Sequence, residues 1–329
     1  MKPINIAIVG ATGVVGRKFL EVLEERRIPI KNIVLFASEK SVGIHLPFQG
    51  KMVPVIALTE ENINLYPVDY ALFSAGSDVS LTFAPIFAKH KIVVIDNSAA
   101  WRMDKQVPLI VPEVNPEAIR NHQFIIANPN CSTIQAVVAI KPLHDAYRLK
   151  RMVISTYQAV SGAGSKGLHD LNEKLPTGMT TKFPYQIHEN VIPHIDVFLD
   201  NGNTKEEEKI ILETRKIMGI ANLPISSTAV RVPVKNGHSE SINLEFEKPF
   251  QLQDIVSILN KAPGVVVYDN PIKKVYPMPL LVDGKDDVYV GRIRRDHSIP
   301  NGLNMFVVGD NIRKGAATNA IQILELLIK

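Results

Sequence analysis

Ile4-Asn5-Ile6-Ala7-Ile8-Val9 is a short apolar run, followed at once by Gly10-Ala11-Thr12-Gly13-Val14-Val15-Gly16 and a helix-forming stretch from Arg17 to Arg26. Strand, glycine turn and helix in that order restrict the possible folds sharply, because they are the opening unit of a doubly wound parallel sheet. Gly10 suits the tight turn, Gly13 lets an anion approach the backbone, and Gly16 lets the helix pack closely on the strand. Gly10, Thr12, Gly13, Val14, Val15 and Gly16 are therefore candidates for holding the pyrophosphate of a dinucleotide. The spacing is G-x-x-G-x-x-G rather than G-x-G-x-x-G, so a glycine-rich turn without a ligand stands as the alternative.

The alternation continues. Strands are expected at 32–37, 69–74, 91–96 and 124–127, with helices in several of the gaps, including Val79 to Lys89. Near-continuous apolar strands between helices imply a parallel sheet covered on both faces. After Arg148 the pattern changes to longer alternating strands: Arg151 to Val160, then 228–234, 239–247, 264–268, 287–294 and 303–309, with a helix at 251–262. That pattern predicts a mostly antiparallel α+β sheet. The tail from Gly315 to Leu327 reads as a helix with an Ile321, Ile323, Leu324, Leu327 stripe, expected to pack back on the first domain. The expected fold is α/β, an N-terminal doubly wound, Rossmann-like parallel sheet with a C-terminal α+β, mostly antiparallel sheet domain. The expected domains are 1–130 plus 312–329 for the cofactor, and 131–311 for substrate binding and dimerisation.

The second strand ends in Ser38-Glu39-Lys40-Ser41. An acid at this place suits the ribose 2′-hydroxyl of NAD, and a cation suits the 2′-phosphate of NADP. The favoured reading is NADP, with Ser38, Lys40 and Ser41 around the phosphate and Glu39 turned away. A solvated charged turn is the alternative.

The only cysteine lies in Asn128-Pro129-Asn130-Cys131-Ser132-Thr133, between the apolar run 124–127 and a helical pattern from Ser132 onward. Cys131 thus sits on a strand-to-helix corner. Backbone N–H groups and the helix dipole there favour a thiolate, which could attack an electrophilic carbonyl. A buried cysteine acting as a small hydrophobe is the competing reading.

Composition excludes several classes. With 46% hydrophobic and 21% charged residues the chain is ordinary globular material, and its net charge of +4 comes without a basic block that would suit nucleic acid. One cysteine excludes an internal disulfide and a cysteine-rich metal site, and fits a reducing cytoplasm. No apolar run reaches membrane-spanning length, and the start, Met1-Lys2-Pro3-Ile4-Asn5, is not a signal peptide. The expectation is a cytoplasmic protein without metal, membrane or nucleic-acid partners.

Gly10 to Gly16 and Pro129-Asn130-Cys131-Ser132-Thr133 together resemble the aspartate-semialdehyde dehydrogenase family. Further stretches carry the likeness in order along the chain: 73–77, Val111-Pro112-Glu113-Val114-Asn115, Tyr157-Gln158-Ala159-Val160-Ser161-Gly162-Ala163-Gly164, Arg231-Val232-Pro233-Val234, His238-Ser239-Glu240-Ser241 and Gly315-Ala316-Ala317. The resemblance implies reversible, NADPH-dependent reductive dephosphorylation of L-4-aspartyl phosphate to L-aspartate 4-semialdehyde and inorganic phosphate, in the biosynthesis of lysine, methionine and threonine. It implies Cys131 as nucleophile through an acyl-thioester, His238 as acid/base and Gln158 as the residue that positions substrate. Arg231 would hold the substrate carboxylate, Glu206 would lie near its amino group, Arg102 and Lys209 would serve the phosphate, and Asn130 would stand beside the nucleophile among the substrate- and phosphate-binding residues. Ser161, Gly162 and Asn311 would contact the cofactor, and the assembly would be a homodimer. Lys40 stands where the family often has arginine; lysine keeps the charge but lacks the planar fork.

If Asn236-Gly237 made a two-residue hairpin turn, Arg231 and His238 would share a face roughly 13 Å apart. Residue by residue, a solvated turn histidine and an exposed edge arginine remain alternatives, as does a charged helix start for 204–209. Three other functions compete. An N-acetylglutamyl phosphate reductase usually carries tyrosine and proline after the cysteine. A glyceraldehyde-3-phosphate dehydrogenase lacks the Gln158-to-Gly162 pattern. A silent dinucleotide-binding regulator has no use for Cys131, Gln158, Arg231 and His238 together.

Overall fold

The turn after β1 (Ile4–Val9) has the shape its glycines permit. Gly10 has φ +84°, and a Cβ there would lie 2.6 Å from the Ser74 carbonyl oxygen. At Gly16 a Cβ would lie 2.2 Å from the Gly10 carbonyl oxygen, so neither position accepts a side chain. The helix α1 (Val14–Glu25) begins inside the motif, earlier than its sequence suggests, and buries Phe19, Leu20, Val22 and Leu23. A computed structural model describes residues 2–329 and divides into two compact units, Met1–Pro129 with Ala316–Lys329, and Asn130–Gly315.

In the first unit β2 (Ile30–Ala37), β3 (His45–Phe48), β4 (Lys51–Ala57) and α2 (Glu60–Leu65) follow α1. Then come β5 (Tyr70–Phe73), α3 (Ser77–Lys89), β6 (Val93–Asp96) and β7 (Ile125–Ala127). They form a seven-stranded sheet in the order β3-β4-β2-β1-β5-β6-β7, parallel except where β3 runs antiparallel to β4. This is the doubly wound sheet that the alternation predicts. Strands β3 and β4 are not legible in the sequence, because Pro47 and Pro54 interrupt them. Proline donates no ladder hydrogen bond and is tolerated at sheet edges. Here Pro47 pairs with Met52 and Pro54 with His45 in the edge hairpin, and β4 joins β2 only from Val55 onward.

The second unit starts with α4 (Cys131–Tyr147) and β8 (Leu149–Gln158), then α5 (Gly164–Asn172), α6 (Lys205–Met218), β9 (Ile225–Arg231) and β10 (His238–Phe246). It continues through α7 (Leu252–Lys261), β11 (Val265–Val267), α8 (Pro279–Val282), β12 (Val288–Asp296) and β13 (Gly302–Gly309). The six strands lie in the order β11-β12-β13-β10-β8-β9. The contacts of β12 with β13, β13 with β10 and β10 with β8 are antiparallel, while β8–β9 and β11–β12 are parallel. One expectation fails here. Although Asn236-Gly237 separates them, β9 and β10 form no hairpin: β8 runs between them, and Gln158 pairs with Arg231 in the β8–β9 register.

The last helix, α9 (Thr318–Ile328), belongs to the first unit, where Ile321, Ile323 and Leu324 join a core with Ile8, Leu20, Leu23 and Ile126. Each fully buried side chain of this size contributes about 1.5–3 kcal/mol. A paired contact from Arg26 to Glu325, at 2.7 and 2.8 Å, ties α9 to the end of α1.

Candidate active site

Asn130 and Cys131 open α4. The Asn130 side chain caps the helix, its Oδ1 accepting the N–H groups of Ser132 at 3.0 Å and Thr133 at 3.3 Å. Cys131 is the first helical residue and is partly exposed. The cap is itself gripped by two carboxylates of α6. Asn130 N–H donates to Glu213 at 2.6 Å, and its amide donates to Glu206 at 2.8 Å. Glu206 and Glu213 are seven residues apart and so lie on one helical face. Sequence reasoning missed Glu213, although that spacing was available to find it. On the other side, a Cβ at Gly315 would lie 2.8 Å from the Cβ of Cys131.

Glu206 organises the polar neighbourhood. Its carboxylate accepts from Asn130, from Gln158 Nε2 at 3.1 Å and from Lys209 Nζ at 3.2 Å. Burial alone would raise its pKa, but Lys209 and the two amide donors outweigh that and hold it below the usual glutamate value. Lys209 also contacts Asp196 at 2.7 Å. Burial opposes its charge; Glu206 and Asp196 prevail, and its pKa is raised. Both groups therefore stay ionised through neutral pH.

Gln158 ends β8, and the following residue, Ala159, holds two functional candidates with its backbone. Its carbonyl accepts Arg231 Nη1 at 2.7 Å, and its N–H donates to His238 Nδ1 at 3.1 Å. Arg231 is 5% exposed, and its guanidinium lies 5.8 Å from the centre of the Phe183 ring. Burial lowers its pKa, while Glu206 and a Cys131 thiolate both favour its charge. His238 is fully buried, so desolvation first and the Arg231 charge second push its pKa well down and keep the ring neutral. A Cβ at Gly162 would lie 3.2 Å from both Arg231 Nη1 and His238 Nε2, so only glycine packs there without crowding the two side chains.

Ser161 and Asn311 are tied to each other. Asn311 donates to Ser161 Oγ and accepts the Gly237 N–H, both at 2.9 Å, while Ser161 donates to Asn236 at 2.9 Å. These bonds fix the turn that leads into His238.

The remaining candidates belong to the first unit. No side chain caps α1, whose N-cap is Gly13 and whose first turn holds no acidic residue. Its terminal N–H groups and dipole therefore suit an anion. Thr12 Oγ1 and Ser41 Oγ stand 3.4 Å apart, and Ser38 and Lys40 are exposed on the turn after β2. Arg102 is buried, with Nε donating to the Asn128 carbonyl and Nη2 to the Asn97 carbonyl, each at 2.9 Å. Among the described residues no helix is long and apolar enough to cross a membrane.

Residues 5–122 match a family model described as semialdehyde dehydrogenase, NAD binding domain, and residues 140–314 match semialdehyde dehydrogenase, dimerisation domain. An aspartate-semialdehyde dehydrogenase of Aquifex aeolicus is 56% identical, the match covering 99% of this chain and 98% of that protein. One from Campylobacter jejuni is 49% identical over 98% of this chain and 96% of its own length. Among solved structures, aspartate semialdehyde dehydrogenase II of Vibrio cholerae complexed with ASA superposes with TM-score 0.94 at 44% identity, covering 100% of this chain and 99% of that one. The Candida albicans enzyme with NADP gives TM-score 0.81 at 27% identity, covering 99% of each chain.

Proposed function

The chain belongs to the aspartate-semialdehyde dehydrogenase family of oxidoreductases, and we propose that it catalyses the NADPH-dependent reductive dephosphorylation of L-4-aspartyl phosphate. The products are L-aspartate 4-semialdehyde and inorganic phosphate. The observation that carries this reading is the gathering of Cys131, Gln158, Glu206, Arg231 and His238 near the start of α4, linked through Asn130 and the Ala159 main chain.

Each residue type suits its task. The Cys131 thiolate attacks the acyl carbon and displaces phosphate, giving a thioester that accepts hydride more readily than a carboxylate. Bound NADPH supplies that hydride. The resulting tetrahedral oxyanion collapses, the C–S bond breaks, and the thiolate leaves with the aldehyde formed. Arg231 offers a guanidinium for the substrate carboxylate, and Glu206 a carboxylate for its ammonium. Gln158 orients the acyl group, with Lys209, Asn130 and Arg102 as phosphate donors. The residues around the glycine turn fit a dinucleotide: Gly10 and Gly16 leave no room for side chains, and the uncapped start of α1 takes the pyrophosphate. Ser38, Lys40 and Ser41 favour NADP over NAD, and Ser161, Gly162 and Asn311 lie on the nicotinamide side. The dimerisation-domain match supports a homodimer, and the single reduced thiol suits the cytoplasm.

The test is NADP reduction by aspartate semialdehyde with and without phosphate, set beside NAD. Phosphate-dependent turnover with NADP preferred is the expected result. Turnover that ignores phosphate would overturn the acyl-phosphate chemistry.

A further inference from the structure

Arg231 ends β9, the outermost strand of the second sheet, so its main-chain groups face an edge that must be filled. Ile192 fills it. The Arg231 N–H donates to the Ile192 carbonyl at 2.8 Å, and the Ile192 N–H donates back to the Arg231 carbonyl at 2.9 Å. Ile192 belongs to the stretch 173–204 between α5 and α6, whose described residues form no helix or regular strand. Connections of that length without secondary structure are uncommon and usually serve a function.

The same stretch reaches the Arg231 side chain. Its guanidinium donates to the Ala159 carbonyl and lies 5.8 Å from the centre of the Phe183 ring, within cation–π range. Phe183 is set against α5, where Gly167 makes room for it: a Cβ there would come within 3.2 Å of Phe183 Cζ. Three residues on, along the same face of α5, Asp170 is buried and gathers four donors. Oδ1 accepts the Thr181 N–H and hydroxyl, both at 2.7 Å, and Oδ2 accepts the N–H groups of Lys182 at 2.8 Å and Phe183 at 3.1 Å. Burial opposes the Asp170 charge, but these donors prevail and hold its pKa below the usual aspartate value. Ile187 and Ile192 pack on Val160, with Phe183, Leu168 and Leu171 around them. At the far end Asp196 meets Lys209 Nζ at 2.7 Å. The stretch is therefore a strap tied down at Asp170 and at Lys209, and between those ties it holds Arg231 by one ring and two main-chain bonds.

We propose that Asp170 and Phe183 are positioning residues for the substrate: Asp170 fastens the strap, and the strap sets the direction in which Arg231 presents its guanidinium. This rests on the reading of Arg231 as the clamp for the substrate carboxylate. A bidentate grip on a carboxylate depends on the plane of the guanidinium, so a ring and a main-chain bridge that fix that plane act on binding. They leave hydride transfer and thioester chemistry to other residues.

Asp170→Asn must turn its amide nitrogen toward one pair of donors, so it breaks half of the fastening. With NADP and phosphate saturating, KM for aspartate semialdehyde should rise about 3–30-fold, the range of a lost cation–π contact, with kcat within about 3-fold of the parent. 3-Aminopropanal keeps the aldehyde and the ammonium but has no carboxylate, and parent and variant should turn it over equally. Phe183→Leu leaves the Asp170 donors in place and should reproduce the rise in KM, which decides the matter even where Asp170→Asn folds poorly. A fall in kcat with KM unchanged, or an equal loss with 3-aminopropanal, overturns the proposal. Hydrogen exchange on the unliganded protein is independent of the acyl-transfer reading. In Asp170→Asn the Ile192 and Arg231 N–H groups should exchange about 10-fold faster, while those pairing β8 with β10 stay as in the parent. Unchanged exchange at those two positions overturns the proposal whether or not aspartate semialdehyde is the substrate.

Discussion

Glu240 is a carboxyl sealed in the second unit, and replacing it with glutamine should stabilise the protein increasingly as pH rises. Both its oxygens are buried and lack a hydrogen-bond partner. Burial raises its pKa well above the usual glutamate value, and Gln135 alongside, which favours the charged form, does not offset that. In the unfolded chain the group ionises near pH 4.5, whereas in the fold it keeps its proton. Between those two pKa values the folded state binds the extra proton, so its stability falls as pH rises. The loss approaches about 1.4 kcal/mol per pH unit once the unfolded group is ionised, or about 2.3 kcal/mol from pH 4.5 to 6.5 with the folded carboxyl still protonated. Glu240→Gln keeps the shape of the neutral acid and has no such loss. His238, whose pKa is depressed, acts in the opposite sense, with its stabilisation lost as pH falls below 6.5, but it does so equally in both proteins and cancels. At about 2–4 °C per kcal/mol, the Tm advantage of Glu240→Gln over the parent should grow by about 5–9 °C between pH 4.5 and 6.5. Differential scanning calorimetry at matched ionic strength measures it. A difference that stays flat, or shrinks, would refute a buried neutral Glu240.

Gly315→Ala places a Cβ 2.8 Å from that of Cys131 and so must displace the nucleophile or its neighbour. A shift of about 1 Å costs roughly 10²-fold in kcat, while NADP affinity measured by fluorescence titration should be unchanged. Lys40→Ala removes an exposed cation beside the proposed 2′-phosphate and should weaken NADP about 10-fold. NAD affinity should barely move, and added salt should narrow the difference; equal weakening of both cofactors would place Lys40 elsewhere.

Local features of the sequence carried well into the structure. The glycine turn needs only its own residues and Ser74 to be recognisable, and the Asn130-Cys131 corner is a helix cap written into consecutive positions. What failed depended on distant partners. Arg231 and His238 look like two sides of a hairpin because Asn236-Gly237 stands between them, but β8 is inserted from earlier in the chain and sets their spacing. Ala159 holds both residues through its main chain, which no side-chain pattern encodes. β3 and β4 were hidden because prolines suppress the strand signal in just the edge positions that tolerate them. Glu213 acquires its place only when α6 lies against the start of α4.

The claim at the centre of this account is a covalent acyl-thioester on Cys131. Mixing the protein with L-4-aspartyl phosphate in the absence of NADPH tests it most directly, with released phosphate followed by rapid quench and intact mass followed by spectrometry. The account predicts one equivalent of phosphate per chain, a single aspartyl adduct on the peptide containing Cys131, and neither in Cys131→Ala. Phosphate release without an adduct, or an adduct that persists in Cys131→Ala, would contradict it.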